Sequence, residues 1–328
     1  MQALKPLFRV TAIPTETKEA GARPRRCPIC GASGAEDWLR SPDRFHGRSE
    51  LYQLLRCPSC SQVWLDNAPV PSEMSRHYGV HYDGAIANNG ADPVHWNTRR
   101  GEVLRHKSAG AILDLGCSSG GFLATLRGPS WTLFGIEISA KVAGQASANC
   151  GAQVFVGDIL AAPFPAGSFD VITCFHVFEH LYQPSEVLAR VAQWLKPGGI
   201  FYTMMPNIDS AGARIFRNYW YALELPRHLY HFSPATLGSL AAHAGLREVS
   251  VTTHRELFAE ASFRYIVDDA LAGIGISTTP MARAKPARLP WKILRKALRL
   301  TVLPVLTGLA SLAGDGESIH AVFVKPVQ

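Results

Sequence analysis

The sequence predicts an α/β fold, a parallel sheet covered by helices on both faces, over residues 109–257. Three observations carry that prediction. From residue 111 onward, short runs rich in Ile, Val, Leu and Phe alternate with helical segments; this rhythm builds parallel sheets. A run of small residues, Asp114-Leu115-Gly116-Cys117-Ser118-Ser119-Gly120-Gly121, falls where the first of those strands gives way to a helix. Acids then close the next two strands, Glu137 and Asp158. Ligands of open sheets sit at such carboxyl ends.

The elements follow in chain order. Residues 1–26 carry six bases against Glu16 and Glu19, with Pro6, Pro14 and Pro24, and read as a flexible basic arm. They lack the apolar core of a secretory signal, so no export is expected. Residues 27–68 hold Cys27-Pro-Ile-Cys30 and Cys57-Pro-Ser-Cys60, separated by 26 residues. Each short turn offers two sulfurs to one ion, the spacing of a four-thiolate zinc site. The module's apolar residues are too few for a core of their own, so a metal would supply the missing folding free energy. Pro69 and Pro71 mark its exit. Residues 69–108 are expected to be a linker and helical lead-in, rich in Tyr and His (His77, Tyr78, His81, Tyr82, His95, Trp96) with loops at Gly79, Gly84 and Gly90, and a helix over 97–108.

The sheet is then expected to form from strands at 111–116, 132–138, 153–156, 169–175, 200–204 and 249–252. Helices are expected between them: Ser118–Arg127, one capped by Ser139 and closed by Gly151, one opened by Pro184 and ended by Lys196-Pro197-Gly198-Gly199, and one from Ser233-Pro234 to His243; caps and breakers set these limits. Residues 258–314 read as a helical insertion, and 315–328 supply a last strand at 319–324.

Composition narrows the class. The chain has 328 residues, 47% hydrophobic and 18% charged. That excludes a disordered chain, a coiled-coil rod and a collagen-like fibre. No run of 18 apolar residues is free of charge, so no spanning helix is expected. Seven cysteines, an odd number, argue for a reducing compartment, and the expected location is cytoplasmic. Cys117, Cys150 and Cys174 read as buried core thiols. The net charge is +7, and residues 270–314 alone hold seven bases and no acid. Lys292, Arg295, Lys296 and Arg299 fall on one face of a helix, with Trp291, Ile293, Leu294 and Leu298 opposite. Residues 300–314 follow without a charge. The segment 289–313 is therefore expected either to lie on an anionic membrane surface or to pack on the core.

The strand-end residues resemble the class I S-adenosylmethionine-dependent methyltransferases. The resemblance covers Ile112 to Met205 and, more loosely, 206–253 and 318–325. It implies a Rossmann-like seven-stranded sheet whose last strand runs antiparallel, with Ile319–Val324 as that strand. It places S-adenosylmethionine against Asp114, Gly116, Ser118 and Gly120 of the first turn. Glu137 and Ile138 would meet the ribose, and Asp158 and Ile159 the adenine. Phe175, beside Cys174, would lie under the methionine half. The N-terminal cysteine module resembles zinc-bearing methyltransferases of sugar and surface-glycan biosynthesis. Glu179-His180-Leu181 and Arg227-His228-Leu229-Tyr230-His231-Phe232-Ser233 resemble that branch and the ubiquinone-type O-methyltransferases.

The implied reaction is methyl transfer to a hydroxyl or carbon of a sugar, glycan precursor or lipid-linked small molecule. Such an acceptor needs its proton removed, and histidine suits the task. His180 is the first candidate, with His176, His228 and His231 beside it. Two rivals remain: an RNA or protein methyltransferase whose zinc ribbon holds a macromolecule, and a non-catalytic cofactor-binding protein. Base-methylating enzymes of similar fold carry an Asn/Asp-Pro-Pro-aromatic run after the fourth strand. Here the run is Cys174-Phe175-His176-Val177, which counts against a nucleic-acid acceptor. The oligomeric state is not legible in the sequence.

Overall fold

The computed structural model describes residues 26–78, 93–256, 258–273 and 316–327. Residues 1–25 of the basic arm, the Gly79–Gly90 stretch with His81 and Tyr82, and the amphipathic segment 289–313 lie outside the described residues.

Two sheets are present among them. The smaller is antiparallel, with strands β1 (Glu36–Pro42), β2 (Leu51–Arg56) and β3 (Val63–Leu65). A short helix α1 (Pro71–Met74) and then α2 (Pro93–His106) lead to the larger sheet. Its first strand, β4 (Gly110–Leu115), is followed by helix α3 (Gly121–Ala124), β5 (Trp131–Glu137), α4 (Ala140–Cys150), β6 (Gln153–Val156), β7 (Phe169–Phe175), α5 (Pro184–Trp194) and β8 (Leu195–Pro206). Then come α6 (Ala211–Phe216), the two-residue strand β9 (Tyr230–His231), α7 (Pro234–His243), β10 (Arg247–His254), α8 (Phe258–Gly273) and β11 (Ser318–Val324).

The large sheet has seven strands in the order β10-β11-β8-β7-β4-β5-β6. β11 is antiparallel to both β8 and β10; β8, β7, β4, β5 and β6 pair in parallel. The chain order reverses on either side of β4, which opens a crevice at the strand ends. Both faces are covered, as alternation along β4 shows. Ile112 packs with Val103, Phe122, Val171 and Val322 on one face. Leu113 and Leu115 pack with Phe178, Val187 and Trp194 on the other.

Local chemistry sets the element ends. The Ser139 hydroxyl accepts from Val142 N–H, and Gly151 closes α4 in the left-handed region at φ 75°. Ser233 and Thr236 form a reciprocal capping box at the start of α7. Two expectations need correction. The helix expected over Ser118–Arg127 shrinks to Gly121–Ala124, because Ser118 (φ 48°) and Gly120 (φ 79°) hold a loop and Thr125 Oγ1 bonds back to the Phe122 carbonyl at 2.7 Å. Lys196–Gly199 is not a turn before the strand but its beginning: Leu195 already pairs with Phe169, and Gly198 N–H donates to the Lys325 carbonyl at 2.8 Å.

The cysteine module is sewn to the large sheet's domain. β9, from far downstream, pairs with β3 and completes the small sheet as a fourth strand. Gln62 Nε2 donates to the His231 carbonyl at 2.9 Å. One hydrophobic cluster runs without a break from Tyr52, Leu54 and Leu55 to Phe178, Trp194 and Phe232. No helix among the described residues is long and apolar enough to cross a membrane.

Candidate active site

A cavity of about 1100 Å³ opens at the carboxyl ends of β4, β5, β6 and β7. At one end lie the strand-end acids. Asp114 is buried and accepts from Thr173 Oγ1 at 2.7 Å. Burial pushes its carboxyl up to about 7, against the pull of that hydrogen bond and of the Arg99 charge. Glu137 spans two loops: Oε2 accepts from Ser118 N–H at 3.1 Å and Oε1 from Ser139 N–H at 3.0 Å. An ionised carboxylate has about four lone-pair sites, so capacity for ligand hydroxyls remains. Asp158 Oδ1 accepts from Leu160 N–H at 2.8 Å, capping the turn Ile159–Ala161 and fixing that amide-rich loop.

The backbone there is built for close approach. Gly116 has φ 69°, and a Cβ on it would lie 2.5 Å from Val177 Cγ2. Ile138 borders the cavity while 70% exposed, an apolar side chain with one face still uncovered. From α2, the Arg99 guanidinium stacks over Trp96 and over Phe175, each at 4.6 Å. Phe175 meets Phe122 and Tyr202 edge-on, which fixes its ring at the cavity wall.

The other end is lined by histidines and glutamates. β7 ends at Phe175, and the chain then turns sharply at His176, a non-glycine residue at φ 55°. The turn Phe178–His180 follows and carries Glu179, only 2% exposed. His176 Nδ1 stands 3.6 Å and His228 Nε2 4.0 Å from Glu179 Oε1. His228 Nε2 is also 3.5 Å from Glu224 Oε2. The rings of His180 and His228 meet edge to face with centroids 4.6 Å apart. Burial, reinforced by His228, holds His180 down to about 4. For Glu179, burial favours the neutral acid, but the imidazoles of His176, His180 and His228 bring it down to about 2.

This end is propped by the N-terminal module. Arg227 is fully buried. Its side chain donates to Glu224 Oε1 at 3.0 Å and to the His77 carbonyl at 2.9 Å, meets His46 Nδ1 at 3.0 Å, and lies over the Phe45 ring at 4.2 Å. His46 and His77 in turn face the buried Asp43 at 3.1 and 3.7 Å. Arg227's own carbonyl holds His180 Nδ1 at 3.0 Å, and Tyr182 donates to the Pro69 carbonyl at 2.7 Å.

In the small sheet, Cys27, Cys30, Cys57 and Cys60 converge, with sulfurs within 4.8 Å of one another and the pairs Cys27–Cys60 and Cys30–Cys57 at 3.5 Å. Four thiolates at about 2.3 Å from one zinc ion would stand roughly 3.8 Å apart, so the set fits. Backbone N–H groups of Ile29 and Cys60 aim at Cys27 and Cys57 sulfurs at 3.4 Å. Burial works against a Cys57 thiolate, but N–H donors from Cys60 and Ser59 bring it down to about 7.

The structure thus gathers Asp114, Gly116, Ser118, Glu137, Ile138, Asp158, Ile159 and Phe175 at one end of the cavity, and His176, His180 and His228 at the other. Gly120 stands apart. It faces α4, where an added Cβ would lie 2.9 Å from Cys150 Sγ and 3.1 Å from Ala146 Cα. Cys174 points into the core and His231 is buried at β9; neither lines the cavity. Sequence reasoning missed Arg99, Thr173 and Glu224. Their neighbours come from distant elements, although Glu224 lies only four residues before His228, just upstream of the motif that begins at Arg227.

Residues 95–251 match the family described as "Methyltransferase domain". Among curated proteins, the chain is 34% identical over 162 residues to the "Ubiquinone biosynthesis O-methyltransferase" of Chromobacterium violaceum, a match covering 44% of this chain and 68% of the relative. It is 29% identical over 154 residues to the protein of the same name from Thiobacillus denitrificans, covering 43% of this chain and 66% of that one. Among solved structures, a chain in the complex of the Haloferax volcanii Trm112 methyltransferase activator with a methyltransferase superposes with TM-score 0.51 at 19% identity, covering 79% of this chain and 99% of that one. Phosphoethanolamine N-methyltransferase 2 of Haemonchus contortus superposes with TM-score 0.51 at 16% identity, covering 78% and 59%. These two likenesses describe the fold.

Proposed function

The chain belongs to the class I S-adenosylmethionine-dependent methyltransferases, and from that premise we propose that it methylates a hydroxyl of a small, glycan-type or lipid-linked acceptor held at the histidine end of its cavity. One observation carries the reading. A single cavity joins the strand-end acids to the Glu179–His180–His228 cluster. Its volume, about 1100 Å³, exceeds the roughly 300–1,000 Å³ usual for one small ligand. It therefore has room for a donor and an acceptor end to end.

When bound, S-adenosylmethionine supplies a methyl group already activated on a sulfonium. The chain's own residues bind, orient and shield. Glu137 takes ribose hydroxyls on the lone pairs that Ser118 and Ser139 leave over. Asp158 and the Ile159–Leu160 amides meet the adenine edge, and Ile138 covers its face. Gly116 lets the backbone approach, and Phe175, clamped by Arg99, walls the reacting end. With the donor pre-activated, alignment and exclusion of water supply most of the rate. His176, His180 and His228 face the acceptor oxygen, and Glu179 stands behind them. The cysteine cluster holds a structural zinc ion that braces the chamber wall.

The name shared by the relatives supports oxygen as the acceptor atom. The glycan alternative rests on the cysteine module's resemblance alone. The protein would be incubated with methyl-labelled S-adenosylmethionine and a fractionated cell extract. Label in a lipid or glycan fraction, lost on Glu137→Ala, is the expected result. Label in RNA or protein would overturn the acceptor class.

A further inference from the structure

We propose that the four-cysteine cluster is a peroxide-responsive switch on the acceptor end: oxidation joins Cys30 to Cys57, releases the zinc ion and loosens the wall that the N-terminal module braces. The inference rests on the reading that Cys27, Cys30, Cys57 and Cys60 hold zinc, and it adds a control to the site behind them.

Access and pairing come first. Cys30 is exposed and Cys60 half-buried, whereas Cys27 and Cys57 are 3% and 1% exposed. The two sulfur pairs at 3.5 Å, Cys30–Cys57 and Cys27–Cys60, each cross from one turn to the other. Each pair therefore sets a sulfur that a small oxidant reaches beside a sheltered partner. Redox-sensing cysteines combine thiolate character, access and a resolving neighbour, and coordination to zinc keeps each sulfur a thiolate. The other thiols differ. Cys117, Cys150 and Cys174 are buried, and burial pushes each of them up, so they stay protonated and inert.

The chemistry balances with hydrogen peroxide as the oxidant. The Cys30 thiolate attacks one peroxide oxygen, the O–O bond breaks, and the departing hydroxide takes up a proton as water. The Cys57 thiolate then attacks the Cys30 sulfur. The S–S bond forms, the S–O bond breaks, and a second hydroxide leaves as water. The two sulfurs lose two electrons and the peroxide gains them. Cys27 and Cys60 are then the thiolates left, half of the four-ligand set that a structural zinc site needs.

The consequence reaches the cavity. For a module with so small a core, metal binding is folding free energy. Directly after it come Pro71, Met74, Ser75 and Tyr78, which line the cavity. Tyr182 donates to the Pro69 carbonyl at 2.7 Å and Arg227 to the His77 carbonyl at 2.9 Å. Cys57 and Cys60 lie between β2 and β3, and β3 pairs with β9, the strand that follows His228. Loosening the cysteine turns therefore loosens the acceptor end. The donor end stands on β4, β5 and β6 of the large sheet and keeps its shape.

The test uses the full chain with zinc bound. Zinc content is measured first, and hydrogen peroxide is then added with a chromogenic zinc chelator present. Zinc release in step with thiol loss is expected. Alkylation under denaturing conditions and peptide mapping should find Cys30 joined to Cys57, with Cys117, Cys150 and Cys174 still thiols. Amide hydrogen exchange over residues 69–78 should rise about fivefold or more, and dithiothreitol with added zinc should reverse it. S-adenosylmethionine affinity, read by calorimetry, should stay within about twofold, the scatter expected for an unaltered site. No variant is needed, so misfolding does not confuse the result. A chain that keeps its zinc in millimolar peroxide overturns the switch. So do disulfides confined to one turn, Cys27–Cys30 or Cys57–Cys60, and unchanged exchange over 69–78. Two controls on the untreated chain separate the readings: absence of zinc removes the metal reading and the switch with it, and absence of donor binding removes the functional reading alone.

Discussion

At the scale of single residues, the cavity sets carboxylates against their surroundings. Asp114 is held to about 7 by burial, from an ordinary value of 3.8. A raised acid gives its full stabilisation below the unfolded value, near pH 4, and loses it as pH climbs to about 7. Asp114→Asn keeps the acceptor for Thr173 and removes the charge. The variant should gain on the order of 2–4 kcal/mol over wild type at pH 8, and much less near pH 4.5. Urea unfolding at the two pH values checks this; an equal gain at both would place the ionisation elsewhere. Glu137 differs because two backbone N–H groups already hold it in place. Losing charged hydrogen bonds to a ribose costs about 1.5–3 kcal/mol. Calorimetry should therefore show Glu137→Ala binding S-adenosylmethionine ten- to a hundredfold more weakly, with a lowered melting temperature because the Ser118 and Ser139 N–H groups lose their acceptor.

At the scale of elements, the loop after β4 and helix α4 are fitted to each other. Gly120 combines a left-handed φ of 79° with an Ala146 Cα that a Cβ would approach to 3.1 Å. Gly120→Ala meets both penalties and should cost about 2–3 kcal/mol, measured by chemical denaturation. A change below 0.5 kcal/mol would mean that α4 can retreat freely. The segment from Glu224 to Ser233 does a different job. It carries His228 to the cavity, anchors Arg227 against His46 and His77, and ends as β9 in the small sheet. One short stretch thus couples the histidine cluster to the N-terminal module.

At the scale of the whole molecule, that coupling means the cysteine module is part of the catalytic domain's structure. Its hydrophobic cluster is continuous with that of the large sheet. Thermal unfolding should be a single transition, and removing zinc with a strong chelator should lower its midpoint as a whole. Calorimetry that instead resolved two independent peaks, with only one moved by chelation, would show that the small sheet folds on its own. Binding of the acceptor should weaken with the same treatment, because the wall behind His180 is built from Arg227 and Tyr78.

Chemistry between neighbours along the chain lays down the order of elements and places the strand-end acids at the cavity. Strands, caps and the small-residue turn are local: Ser139, Gly151, Pro184 and Ser233 act within a few residues of themselves, and Asp114, Glu137 and Asp158 are placed by strand ends that hydropathy already marks. The pairing of Cys27, Cys30, Cys57 and Cys60 was equally legible, since its spacing is written along the chain. The rest waits on long-range packing. That Glu179 meets His228, that Arg99 clamps Phe175, and that β9 crosses to finish the small sheet all depend on residues far apart in sequence meeting in space. Gly120 shows the same limit from the other side: its place in the turn resembled a ligand contact, but the helix packed behind it claims the space. Periodicity and capping chemistry report on neighbours along the chain. Burial and the meeting of like groups are fixed only once the two sheets close on one another.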